Sequence, residues 1–430
     1  MREPIMARQR RLLRQWGLSK FPPFADVPPK DDPERLATLF TGRDDELDLA
    51  TQPLMRGENV LVRGAWGVGK TTFILQLLHA LVGEAQAVKE RLLPIYIDNF
   101  RGGTLQEFHR LLLFALATAL ADKDDDARAI AEAMKGISIS HNRSRSIKGS
   151  IEINLFTFGT AGGEIGLESV AERRIGLDSP EYWIDELLRR GHKRYEHIVV
   201  AIDDLDKTDP RPNEFLKVRT LFDQALPILR DQRCAFILTG RTLTVAQDIY
   251  GSILGLFNRQ IALDPLPPED LRAIAVKTLN LVRHQARPDA HPFSDEAIAR
   301  LAASSYVPRH FNRNCADVLD AAVRLDRDRL DGAAFDECFV EAQAKVAAEV
   351  EPQIRQLLYI ARKYGGISQQ NRRALDELGL GDFIEILPVL DYLVQRDLLV
   401  RENTIGGLRF IVSSRAERAA LPPTDVSVES

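Results

Sequence analysis

Cysteine is scarce in this 430-residue chain, and the three present, Cys234, Cys315 and Cys338, stand far apart with no C-x-x-C pair. That spacing argues against a disulfide framework or a paired-cysteine zinc site, and a reducing cytoplasm is the expected compartment. Long apolar runs are missing as well: nowhere do about 18 apolar residues follow one another, so no membrane span is expected. The first twenty residues are rich in arginine but lack an apolar core followed by a small-residue cleavage site, which argues against secretion. Nor is there an excess of positive charge. A net charge of −5 gives no global pull towards nucleic acid, so any such contact has to come from local patches.

What remains is an ordinary globular composition, 45% apolar and 28% charged, in a chain long enough for about two or three domains. Its most informative stretch is Gly64-Ala65-Trp66-Gly67-Val68-Gly69-Lys70-Thr71, of the form G-x-x-x-x-G-K-[ST], with Thr72 following. It comes directly after the apolar Val60-Leu61-Val62 and before a helical pattern carrying Phe73, Leu75, Leu77, Leu78 and Leu81. Strand, glycine loop and helix are the context that a phosphate-binding loop requires. The glycines let successive backbone N–H groups turn inward, and the helix adds its positive dipole end. Lys70 then supplies a point charge to the phosphates of a nucleotide, and Thr71 a hydroxyl to Mg²⁺.

The N-terminal stretch, with Ile5, Met6, Leu12, Leu13 and Trp16 able to line one side of a basic helix, reads as a docking or fraying tail, or else as a membrane or nucleic-acid arm. From Glu58 onwards short apolar runs alternate with helical patterns, the signature of βαβ units around a parallel sheet. The strand candidates are 59–63, 93–99, 198–203, 235–239 and 259–263. Residues 137–167 break the rhythm with Ser, Gly and Thr and with alternation through Ile151, Ile153, Leu155 and Phe158, which predicts an inserted β-hairpin. Its approach, His141 to Lys148, is a basic run that reads either as a solvated loop or as a contact to phosphates or a neighbouring subunit. Beyond Pro267 the pattern is helical over 268–279, 294–304, 309–325 and 332–350. Three more helices, 353–363, 368–378 and 383–396, precede two strand-like runs joined through Gly406-Gly407, the outline of a winged helix.

A phosphate loop needs an acidic partner on a neighbouring strand. Ile198-Val199-Val200-Ala201-Ile202-Asp203-Asp204 supplies one, with Asp203 towards the metal and Asp204 as base or water-positioning group. Aspartate at 204 is one methylene shorter than the glutamate commonly used, so slow hydrolysis is expected. Thr239 ends the next strand and is the candidate to sense the γ-phosphate, with Arg241 just beyond. Arg309, after Pro308, stands in the first turn of a helix from which it could lean over the nucleotide. Arg259, at the lip of the last strand, is a candidate finger into an adjacent subunit.

These elements, with Phe40-Thr41-Gly42-Arg43 ahead of them, occur in an order that resembles AAA+ ATPases of the origin-recognition type and the related signal-transducing STAND ATPases. The resemblance covers about residues 36–415. It implies an α/β fold, a five-stranded parallel P-loop NTPase sheet with a helical lid and a C-terminal winged helix, an adenine site near Gly42 and Arg43, and nucleotide-controlled assembly into homo-oligomers. The expected division is an N-terminal extension (1–35), an ATPase core (36–266), a lid (267–350), a winged helix (351–415) and a disordered tail (416–430). Asp204 and the hairpin depart from the usual AAA+ pattern. The expected role is an ATP-binding switch or loader associated with double-stranded DNA; the alternative is a STAND-type ATPase governed by a protein partner. For the winged helix, Arg355, Arg362, Lys363, Arg372 and Arg373 favour DNA. Asp382, Glu385 and Asp391, and a Pro388 expected to interrupt the last helix, favour a protein. Arg401 and Arg409 flank the wing as candidates for backbone contact.

Overall fold

The computed structural model describes residues 3–24, 33–97, 104–142, 179–203, 219–240, 251–305, 307–404 and 407–421. Five parallel strands form the central sheet: β1 (Val60–Gly64), β2 (Leu92–Ile97), β3 (His197–Ile202), β4 (Ala235–Gly240) and β5 (Arg259–Leu263), in the order β2-β3-β4-β1-β5. All five expected strands are present, with no end shifted by more than two residues. The first four are short and apolar because helices cover both faces, and their alternate residues supply two separate cores, whereas the edge strand β5 buries only Ile261 and Leu263.

On one face Val60 and Val62 of β1, Tyr96 of β2, Val199 and Ala201 of β3 and Ile237 of β4 pack against α4 (Lys70–Ala87) through Phe73, Leu77 and Leu78. On the other, Leu61, Ile95, Val200, Ile202, Phe236 and Leu238 meet α5 (Leu105–Leu120) and α7 (Pro180–His192). Asn59 stitches the start of the sheet together: its amide donates to the Leu229 carbonyl and accepts from the Phe236 N–H, both at 2.8 Å. Preceding β1 are α2 (Pro33–Leu39) and α3 (Asp44–Met55).

The expected hairpin begins differently. Residues 137–142 belong to a helix, α6 (Asp125–Asn142), whose apolar register Ala127, Ile130, Met134 and Ile137 keeps the three- and four-residue spacing of a helix up to the start of that stretch. The rest of the expected hairpin lies outside the described residues.

The segment expected to form a lid is helical, with α8 (Pro268–Asn280), α9 (Asp295–Ala303), α10 (Pro308–Leu325) and α11 (Gly332–Glu349). The basic N-terminal stretch docks on it as α1 (Ile5–Trp16), with Leu12 and Trp16 in the lid core and the Trp16 indole donating to the Asp328 carbonyl at 2.7 Å. Arg8 donates to the carbonyl of Arg324 and Arg11 pairs with Asp326, so the arginines of α1 serve the C-terminal, negative end of α10.

The C-terminal unit comprises α12 (Pro352–Lys363), α13 (Arg372–Glu377) and α14 (Phe383–Gln395) with a three-stranded antiparallel sheet of β6 (Ile367–Ser368), β7 (Leu399–Thr404) and β8 (Gly407–Val412), ordered β6-β8-β7. Ser368, expected to begin a helix, instead ends the two-residue third strand, held by antiparallel pairing of Ile367 and Ser368 to Phe410 and Arg409. Pro388 does not interrupt α14: the helix runs through it, and what proline removes is one backbone donor. The first part of the expected tail is ordered, with Ala416, Ala419 and Ala420 buried in this unit's core.

Candidate nucleotide site

The glycine loop between β1 and α4 takes a conformation that side chains resist. Gly67 and Gly69 have φ of +78° and +104°, and a Cβ on Gly67 would lie 3.0 Å from Val307 and 3.1 Å from the Cβ of Arg309. Glycine is needed there both for the left-handed backbone and for the close approach of α10. No side chain caps the start of α4, whose first-turn N–H groups face the loop. Lys70 is buried, and its Nζ donates to the carbonyls of Gly64 at 2.9 Å and Ala65 at 3.0 Å. A cation, a helix start without a side-chain cap and a glycine turn at one point form an anion-binding cradle.

Strand alternation then decides what meets this cradle. Continuing the α4-side positions along each strand gives Tyr96 on β2, Asp203 just past β3 and Thr239 on β4, all buried on the face that carries Thr71. Asp203 is 2% exposed and stays in the ladder through its N–H to the Ile97 carbonyl. Its Oδ2 accepts from the Thr71 hydroxyl at 2.6 Å and from the Tyr96 hydroxyl at 2.8 Å. A hydroxyl and a carboxylate side by side are the hard oxygen donors that Mg²⁺ takes, so Thr71 and Asp203 fit the metal expected there. Thr239 is completely buried, in register with Val62 of β1, one step from the cradle.

Gly42 and Arg43 reach the same end of the sheet. Arg43, 6% exposed, pairs with Glu46 at 3.0 Å and donates to the carbonyl of Asp264 just after β5. From the lid, Lys277 donates to the Phe40 carbonyl at 2.6 Å and the Thr41 hydroxyl at 2.9 Å, and burial lowers its pKa. The Phe40–Arg43 segment is thus clamped between core and lid.

Arg309 lies at the loop itself. Its N–H faces the Gly67 carbonyl at 3.4 Å, and its guanidinium sits 5.0 Å from the centre of the Trp66 ring. Arg259 is elsewhere: it starts β5 opposite Val60, whereas the cradle follows the Gly64–Leu263 pair at the other end, so it is exposed away from this chain's own cradle. Asp204 and Arg241 lie outside the described residues.

Tyr96 and Lys277 were not legible as site residues. A tyrosine within Leu-Leu-Pro-Ile-Tyr-Ile reads as core, and only its parity with Asp203 would have marked it. Among the described residues no cluster of three or more His, Cys, Asp or Glu forms a further metal site, and no helix is long and apolar enough to cross a membrane.

With this geometry in hand, comparison with known proteins is informative for part of the chain. No curated relative matches the sequence. Among solved structures the chain is similar to the Aeropyrum pernix ORC1 protein in complex with DNA, at 14% identity and a TM-score of 0.42 over 90% of this chain and 94% of that one. It is similar to Thermotoga maritima RuvB at 17% identity and 0.42, over 88% and 94%, and to Cdc6p from Pyrobaculum aerophilum at 14% and 0.39, over 90% and 96%. These overlaps are too loose to carry a function across. Residues 39–229 match the AAA ATPase domain family, a stretch just under half of the chain that holds the cradle, Thr71, Tyr96 and Asp203. The chain therefore carries an AAA ATPase domain, and the reaction of that domain is the hydrolysis of ATP.

Proposed function

We propose that this protein is an ATP-controlled switch, a slowly hydrolysing AAA+ ATPase whose bound nucleotide sets the arrangement of its lid, its C-terminal winged helix and neighbouring copies. The observation that carries this reading is the path of α10, which touches the glycine loop in its first turn and then runs along the C-terminal unit. Arg313 and His310 meet Asp397 there, the histidine at 3.1 Å, and Asp317 meets Arg415 at 2.5 Å. Whatever moves the start of α10 moves that unit.

In the ATP-bound state Lys70 and the N–H groups of the loop hold the phosphates, Gly42 and Arg43 border the adenine, and Thr239 and Arg309 report the γ-phosphate. Thr71 and Asp203 would hold Mg²⁺, which supplies charge neutralisation between the phosphates. Asp204 orients the attacking water, Arg241 adds a cation after β4, and Arg259 faces the site of a neighbouring copy. In this reading the assembled form is a homo-oligomer that works on double-stranded DNA as a loader, a transposition helper or a defence regulator.

A second reading, a STAND-type switch governed by a protein partner, is favoured by α14. That helix exposes Ile384, Val389 and Tyr392 beside Glu385, and Asp391 holds Arg401 at 3.3 Å. Arg409 is likewise engaged with the Gly365 carbonyl. An apolar and acidic face suits a protein better than phosphates.

Mass in solution separates the two readings. A species that grows with an ATP analogue only when duplex DNA is present supports the loader, whereas copurified ADP on a monomer indifferent to DNA supports the partner-governed switch. Lys70→Ala is expected to abolish nucleotide binding and Asp204→Asn to keep binding while slowing turnover. Retained ATP affinity in Lys70→Ala, measured by calorimetry, refutes the nucleotide reading altogether.

A further inference from the structure

Trp66 occupies a position where the nucleotide cradle needs only a residue that lets the loop pass. Here it is a large aromatic with two neighbours outside the ATPase core. Its ring lies under the Arg309 guanidinium of the lid, at 5.0 Å, and it packs against the apolar core of the C-terminal unit. The backbone beneath is equally close, since a Cβ on Gly67 would crowd both Val307 and Arg309. One side chain of the phosphate loop therefore joins all three parts of the molecule.

α10 extends that junction. Arg309, Arg313 and Asp317 are spaced four apart and lie on one face of an 18-residue helix. Successive turns of this face meet Trp66, then the fully buried Asp397, then Arg415. Asn314 adds a bond to Ser414 at 3.2 Å. At the far end of the helix α1 holds Arg324 and Asp326. With its length gripped in this way, the helix responds to a change in its first turn as a body.

We infer that Trp66 is a positioning residue: it holds Arg309 on its ring and seats the loop against the C-terminal unit until a γ-phosphate takes the guanidinium from it. The inference rests on the nucleotide reading given above. A guanidinium over an indole face is a cation–π contact, and a dianionic phosphate at the same loop is a stronger acceptor for the same group. ADP lacks the competing phosphate and leaves the stack in place. The ring thereby sets how much of the binding energy of ATP goes into releasing the lid, and gives the loop a preference between the two nucleotides.

The full-length chain tests this by calorimetry with an ATP analogue and with ADP, both with Mg²⁺. Trp66→Leu keeps apolar packing and removes the π face, so ATP-analogue binding is expected to tighten at least about two- to five-fold, the lower bound for releasing a half-buried cation–π contact. ADP binding is expected not to move. Trp66→Phe, the gentler change, should fall between the two. In an Arg309→Gln background Trp66→Leu should have no effect on either nucleotide, since the pair acts as a unit. Hydrogen exchange in α14 and β8 should rise with the ATP analogue in the wild type and already be raised without nucleotide in Trp66→Leu. Equal shifts for ATP and ADP, weakening of both, or no shift overturn the inference, and the first two mark Trp66 as a packing residue only. If Arg309→Gln lowers ATP affinity selectively while Trp66→Leu changes nothing, the nucleotide reading stands and this inference falls. If the wild type binds no ATP, both fall.

Discussion

Tyr96→Phe isolates one contact of the nucleotide site with little else disturbed. Tyr96 and Asp203 are 1% and 2% exposed, and the hydroxyl-to-carboxylate distance is 2.8 Å. Phenylalanine has the shape of tyrosine, so no cavity opens and the loss is the hydrogen bond alone. Hydrogen bonds to charged groups contribute roughly 1.5–3 kcal/mol, and here the acceptor stays buried with one donor fewer. At 1.36 kcal/mol per decade this corresponds to roughly a 10- to 150-fold loss of protection. It should appear in those amides of β1, β3 and β4 that exchange only when the core opens, which hydrogen exchange reads separately from the lid and C-terminal unit. The deficit should shrink with Mg²⁺ and ATP, because a cation beside Asp203 offsets the missing donor. Protection unchanged within about two-fold would refute the reasoning, because a buried carboxylate indifferent to one of its donors does not fit these magnitudes.

Three further outcomes follow from other parts of the molecule. Asp397→Asn, which tolerates the φ of +54° found there, breaks a buried pair with Arg313 and His310. It is expected to cost about 3 kcal/mol, the low end for such a loss, and to speed proteolysis within 352–421 while leaving the ATPase core intact. Burial, with help from Arg287, lowers the pKa of His291 below its ordinary 6.5. The unfolded chain then binds a proton first on acidification, so lid stability is full above about pH 6.5 and falls as pH drops through that value. His291→Gln should flatten the slope of lid unfolding between about pH 7 and 5. Burial also raises the thiols, that of Cys338 to about 11 and those of Cys234 and Cys315 well above the ordinary value. None of the three should react with an aromatic disulfide reagent at neutral pH until the chain unfolds, and fast labelling of the native protein would contradict the burial.

Much of the site could be read from the sequence because its parts are contiguous. Gly64 to Thr71 carries its own backbone requirement, and Val199 to Asp203 carries its own strand pattern. The strand candidates succeeded for the same reason: four of the five are short runs buried on both faces, which need no partner to be recognised. The errors fell where local signals competed. Ile137–Asn142 looked like the approach to a hairpin but continues a helix, and Pro388 looked like a break in a helix that passes through it. Ser368 read as a helix start, yet pairing with β8 places it in a strand.

The sequence by itself determined the glycine loop with its lysine and threonine, the acidic end of β3 and the alternation of strands and helices. Each of these depends on φ, on strand parity or on helix period within a few residues. Tertiary structure alone decided which faces meet. It brought the Tyr96 hydroxyl to Asp203, 107 residues away, placed the Trp66 ring under Arg309, and turned the arginines of α1 to the end of α10. Those contacts belong to no segment. They arise because burying both faces of the sheet and the apolar stripes of the lid leaves each polar group one place where its partner is within reach.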